Sequence, residues 1–241
     1  MYSTEINGER VEFGTSGFLY RSNKLMYDRK TETLWQQFRG VPAVGPLVGS
    51  GLELEVLPMT LTFWADWVAE HPDTTVLNAE TGRYPAESYS PESQNDSAYF
   101  AYRNQTTTMF PVPLRSAELE TKEPVFGLVV GDEARAYPLS VFASPTALND
   151  ELGGQNVVVL SPGSGGGVRA YGRGNHVFTP ARTGPGRMMV VTDEDGVEWR
   201  AEDDALVSLD GAARSLDRLP SREAYWFGWY AFYPQTDIYA P

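Results

Sequence analysis

The stretch Leu57–Leu77, LPMTLTFWADWVAEHPDTTVL, returns near the far end of the chain as Leu219–Tyr239, LPSREAYWFGWYAFYPQTDIY, at a constant offset of 162 residues. Leu57, Pro58, Trp64, Trp67, Ala69, Pro72 and Thr74 recur as Leu219, Pro220, Trp226, Trp229, Ala231, Pro234 and Thr236. Two tryptophans three apart with a proline five residues later, twice at one offset, indicate an internal duplication. The aromatics fall at helical spacing in each copy: Trp64, Trp67, Val68 and His71, then Trp226, Trp229, Tyr230 and Tyr233. Pro72 and Pro234 end the helix, because proline has no N–H to donate and its ring clashes with the preceding turn. Thr74–Leu77 and Asp237–Tyr239 are β-prone, so each copy reads as a short aromatic helix running into a strand. Large aromatics dominate cores, so the Trp pairs read first as core anchors and second as a ligand platform.

The rest of the chain is punctuated like a β protein. Asn7-Gly8 is a type I′ turn pair, and Val11 and Phe13 alternate in the strand leaving it. Gly14–Gly17 is expected to break that strand. Phe18–Tyr20 and Lys24–Tyr27 are strand-like, as is Leu34–Phe38 beyond the polar turn Asp28–Thr33. Gly40–Leu57 is short β pieces between glycines and prolines. Val125–Val130 and Glu133–Leu139 form a hairpin across Gly131-Asp132, Ser140–Leu152 is weakly helical, and Asn156–Leu160 is a buried strand. Met188–Thr192 and Val197–Arg200 make a hairpin comparable with that at Leu25–Leu34, and His176-Val177-Phe178 echoes Val11-Glu12-Phe13. Asn78–Lys122 has no sustained period and reads as a surface connection. The expected fold is α+β, mainly antiparallel β. Two pseudo-repeat units, residues 1–77 and 123–241, each end in a Trp-rich helix followed by a strand. Residues 78–122 join them, and the units pack as one body.

Composition removes several chemistries. The 241 residues include no cysteine, which excludes disulfides, thiolate catalysis and Cys-based zinc sites. The two histidines, His71 and His176, offer no metal-ligand spacing, so neither a metal nor a cofactor is expected. A net charge of −13 repels phosphate backbones and argues against nucleic acid. Only three of the 19 basic residues are Lys, and this acidic, Lys-poor balance suits a high-salt environment. No apolar run approaches the ~20 residues of a membrane span. The polar start MYSTEINGERVEFG shows no targeting segment.

The run Val11–Leu77, with VEFGTSGFLYRSNKLMYDRKTETLW, VGPLVG and FWADWVAEHPDTTVL, closely resembles the bacterial and archaeal domain of unknown function numbered 3179. EPVFGLVVGDEARAYPL with NDELGGQNVVVL resembles that family's recurring hairpin–helix–hairpin opening. The resemblance implies tandem repeats in exported or membrane-anchored proteins, hence an extracytoplasmic location, and no settled biochemical role. In the family the first repeat also opens with a GxARAYPL hairpin and a Cys-Pro-x-Cys-Gly loop. This chain starts just after that point, so its first repeat is expected to lack the front half. Ser161 and Ser164 stand where the family's first repeat has its cysteines, and a hydroxyl cannot replace a thiolate in redox or soft-metal chemistry. Strands left unpaired invite pairing. Either another copy pairs with the edge, giving a homo-oligomer, or Asn78–Lys122 covers it.

The candidate chemistry is thin. Ser161–Gly167, SPGSGGG, is a glycine loop whose N–H groups at Gly163 and Gly165 could converge on an anion, but no Lys-Ser/Thr follows as in a P-loop. A serine hydrolase using Ser161 or Ser164 with His176 is an alternative, although SPGSG is not the GxSxG elbow. A third reading is a carbohydrate or other polar small ligand held by Trp64 and Trp67 with Asp28. The leading expectation is a binding or scaffold protein outside the cytoplasm, its partner a small molecule or a protein.

Overall fold

In the computed structural model, which describes residues 1–80, 82–91, 94–95, 97, 99–163 and 166–240, Asn7 and Gly8 both take positive φ (53° and 77°). They join β1 (Glu5–Ile6) to β2 (Glu9–Arg10), as a type I′ pair does. An antiparallel meander follows: β3 (Phe13–Tyr20), β4 (Asn23–Asp28), β5 (Leu34–Gln36) and β6 (Pro42–Val44). Gly14–Gly17 does not break β3. The extra residues are absorbed as a register shift between Thr15 and Leu19, a bulge that glycine at Gly17 (φ 77°) permits. Helix α1 (Trp64–Glu70) ends this unit.

The second unit opens with the hairpin β7 (Pro124–Val130) and β8 (Glu133–Pro138). Ser140–Leu152 is not a helix. A 3₁₀ turn at Leu139–Phe142 leads into β9 (Thr146–Leu152), which pairs along its whole length with the valine-rich β10 (Gln155–Ser161). Tertiary pairing overrides weak helix propensity here. Next come β11 (Arg169–Gly172), β12 (Thr179–Thr183), β13 (Met189–Thr192), β14 (Glu198–Ala201), β15 (Ala205–Ser208) and β16 (Ser215–Leu219). They build an eight-stranded antiparallel sheet in the order β12-β13-β14-β15-β16-β11-β10-β9. Strand β17 (Ser221–Tyr225) leaves it to pair with β7, and helix α3 (Trp226–Phe232) follows; α2 is the single turn Phe100–Arg103 in the connection. Strand β18 (Asp237–Ile238) closes the order β17-β7-β8-β18. The fold is mainly antiparallel β with few helices.

The two meanders share a buried turn. Asp28 and Asp193 are buried and accept the indole N–H of Trp35 and Trp199, each at 2.9 Å. Phe13 and Phe178 meet those indoles edge-on, with ring centroids 5.9 and 5.8 Å apart. One expected element is missing. Thr74–Leu77 forms no strand, and Leu77 is 97% exposed. Its counterpart β18 is held by pairing alongside β8, and among the described residues no strand pairs with Thr74–Leu77. The described part of the connection that enters a core does so around α3. Val112 and Leu119 pack in the core around α3, and the Ser116 carbonyl accepts the Trp226 indole N–H at 3.3 Å.

Candidate functional site

Helices α1 and α3 have one backbone. Their N-caps, Phe63 (φ −74°, ψ 146°) and Tyr225 (φ −71°, ψ 146°), and their C-caps, His71 (φ −126°, ψ 71°) and Tyr233 (φ −127°, ψ 67°), superpose in dihedral space. In each, the second indole N–H donates across the proline turn, Trp67 to Thr74 Oγ1 at 3.1 Å and Trp229 to Thr236 Oγ1 at 2.9 Å. The ring at the C-cap packs on that indole, His71 on Trp67 at 4.0 Å and Tyr233 on Trp229 at 4.4 Å.

Burial separates them. Trp226 and Trp229 are fully buried, and Trp229 lies so close on β7 that a Cβ at Gly127 would stand 2.2 Å from its ring. Helix α1 buries no residue, and Trp64 is 52% exposed. The segment before it behaves the same way. Residues 59–63 answer to β17 but belong to no strand. Met59, Leu61 and Phe63, at alternate positions, are all exposed. Three apolar side chains and an indole therefore stand exposed where the matching segment Ser221–Phe232 packs against β7 and β8.

This bare surface is held firmly from behind. Arg169, 3% exposed, donates to Asp203 at 3.1 Å and Glu70 at 3.4 Å, and His71 Nε2 sits 3.1 Å from Asp203. Burial pushes the Glu70 carboxyl above its ordinary range, and the Arg169 guanidinium opposes that shift without cancelling it. Arg187 reaches Asp66 at 3.6 Å, and Gly186 lies against the helix where a Cβ would come 2.5 Å from the Asp66 carbonyl oxygen. Arg218 donates to the Met59 carbonyl at 3.3 Å and to Thr60 Oγ1 at 3.2 Å. Burial lowers the pKa of that guanidinium to about 10, still charged at neutral pH. The packing is reciprocal: Arg21, at the tip of β3–β4, donates to the Ala231 carbonyl of α3, and Phe38 stacks on Phe232 at 4.6 Å.

A family model described as "Protein of unknown function (DUF3179)" matches residues 1–236. The chain belongs to that family. No curated protein and no solved structure matches the chain.

In this DUF3179 chain the residues singled out by sequence fall at separate places. Ser161 is fully buried, its Oγ accepting the Gly163 N–H at 3.1 Å. His176 is tied to the other end of β10, because Arg173 donates both to the Val157 carbonyl (3.2 Å) and to the His176 carbonyl (2.7 Å). Val157 and Ser161 are four residue steps apart along the strand, roughly 13 Å, so the two side chains are not brought together. His176 instead packs on Trp199 and lies 3.4 Å from Asp193. Ser164 and Gly165 lie outside the described residues. Gly163 spends its N–H on Ser161, and its carbonyl accepts from Arg187. The same loop seats the first unit, since Gly167 N–H donates to the Leu61 carbonyl at 2.8 Å and Gly166 lies beside Phe63. Asp28 is consumed by its turn and does not approach Trp64 or Trp67 as a ligand group: it accepts from Trp35, Thr31 and Lys30. Among the described residues no His, Cys, Asp and Glu cluster has metal-binding geometry, and no helix is long and apolar enough to cross a membrane. Sequence reasoning passed over the Met59-x-Leu61-x-Phe63 alternation, a period-two signal directly before the helix.

Proposed function

We propose that this chain is a binding module whose working surface is the edge of residues 59–63 together with Trp64. Its ligand is an apolar β-hairpin of the β7–β8 kind, carried by another polypeptide segment. The observation behind this is the half-exposed Trp64, set on the same backbone that buries Trp226 completely. Strand addition supplies main-chain hydrogen bonds, and alternate side chains supply selectivity. Met59, Leu61, Phe63 and Trp64 are each about half exposed, so sealing them is worth roughly half of the ~1.5–3 kcal/mol of a full burial apiece before the cost of association. A glycine facing Trp67, as Gly127 faces Trp229, is the expected selectivity element. The extracytoplasmic location belongs to this reading through the family resemblance. Ser161 has no chemical role in it, and a fluorophosphonate probe is expected to leave that serine unlabelled.

The test uses a peptide spanning Glu123–Leu139 added to the intact chain, with acrylamide quenching of tryptophan fluorescence as the readout. Binding is expected to protect Trp64, and the same peptide with Gly127→Leu is expected not to bind. Quenching unchanged by the peptide would refute the reading. Protection that appears without peptide as protein concentration rises would make the occupant a second copy instead.

A further inference from the structure

A cavity of about 380 Å³ opens where the meander of the first unit meets β17. Phe13, Met26, Phe38 and Leu54 form its apolar wall, and Asn23, Ser221 and Glu223 its polar one. The polar groups are unusually idle. Ser221 is 5% exposed and its Oγ has no hydrogen-bond partner. Asn23 Oδ1 is buried in the same condition. Buried polar atoms are almost always paired, so two orphans on one cavity mark a place where something else supplies the bond.

Glu223 follows Ser221 by two residues on β17 and so shares its face. Glu223 lines this cavity and a smaller adjoining one that also contains Asn23 and Phe38. No described residue donates to it. The cations nearby are committed elsewhere: the Met1 ammonium, which also lines the cavity, donates to Met59 Sδ at 3.4 Å. Arg222 donates to the Gln37 carbonyl at 3.0 Å and lies over the ring of Phe38, and Arg21 is spent on the Ala231 carbonyl. The cavity therefore offers a carboxylate, an amide oxygen and a hydroxyl, all able to accept, beside an apolar wall.

We propose that this cavity binds a small organic ammonium ion, its three N–H donors shared among Glu223, Asn23 and Ser221 and its apolar body laid against Phe13, Met26 and Phe38. An ammonium carries three donors and no acceptor, which matches the acceptor set. The volume falls in the range of small-molecule sites. Burial without a partner pushes the Glu223 carboxyl up to about 7, and a bound cation would relieve that penalty. The site needs no residue of α1, although Met59 lines both it and the hairpin surface.

Isothermal titration calorimetry at pH 8 on the intact chain, with 2-phenylethylammonium and its neutral analogue 2-phenylethanol, tests this. The cation is expected to saturate one site and to bind at least tenfold more tightly than the alcohol. Glu223→Gln is expected to abolish that preference while keeping the wild-type far-UV spectrum, and Ser221→Ala to weaken the cation several-fold. No saturable binding, equal binding of cation and alcohol, or a preference that survives in Glu223→Gln would each overturn the proposal.

Discussion

Asp28 and Asp193 show how much a single carboxylate can organise. Each sits inside a tight turn, with an indole N–H on one oxygen and backbone N–H groups on the other. Burial alone would raise both pKa values, but these donors more than offset it and hold both carboxyls below the ordinary range. A folded pKa below the unfolded one gives stability that is present at neutral pH and lost as the pH falls through the acidic range. Asp28→Asn and Asp193→Asn are each expected to cost about 1–3 kcal/mol in urea melts at pH 7. Glu223 has the opposite sign. Its pKa rises from 4.5 to about 7, so the folded state holds the extra proton between those values and stability falls as pH climbs through that window. Glu223→Gln is expected to lose that part of the fall in denaturant midpoint between pH 5 and 8. It should exceed wild type at pH 8 by up to about 3 kcal/mol. The polar turn at Asp28–Thr33 is legible in the sequence, whereas the burial of its aspartate is not. Nothing in a sequence says which way a turn folds, and so whether its carboxylate meets solvent or an indole.

At the scale of elements, the two Trp helices share a sequence pattern and differ in what covers them. Trp226→Ala removes a fully buried indole and is expected to cost about 3–5 kcal/mol. Trp64→Ala is expected to stay within about 0.5 kcal/mol of wild type. Gly127→Ala puts a methyl into the Trp229 ring and is expected to cost more than about 1 kcal/mol, though alanine favours the strand conformation over glycine. Denaturant melts of the three variants check all of these. Spacing and the terminal prolines placed both helices, because local chemistry decides where a helix starts and stops. Burial differs between the two, because a neighbour decides it. The same reason removed the strand at Thr74–Leu77. Strand β9 was hidden by weak helical composition that pairing with β10 overrides. Strands β15 to β17 were missed because runs such as Ser221–Tyr225, SREAY, carry little apolar alternation.

Across the whole molecule, each unit grips the other's helix. The β3–β4 tip holds α3 through Arg21, and the β12–β13 connection holds α1 through Gly186 and Arg187. Shared gripping fixes α1 although its outer face is bare, and a rigid, pre-formed surface loses little entropy when a partner arrives. The net charge of −13 opposes compaction, so the melting temperature is expected to rise between low and molar NaCl; a flat profile would remove the high-salt reading. The central claim is that α1 and the edge before it are the uncovered counterpart of α3 and β17. Backbone hydrogen exchange, followed by mass spectrometry over residues 59–71 and 221–233 in one sample, tests it most directly. The account predicts fast exchange at 59–63, protection at 221–225, and slowing at 59–71 when the Glu123–Leu139 peptide is added. Equal protection of the two segments in the free chain, or no slowing with peptide, would contradict it.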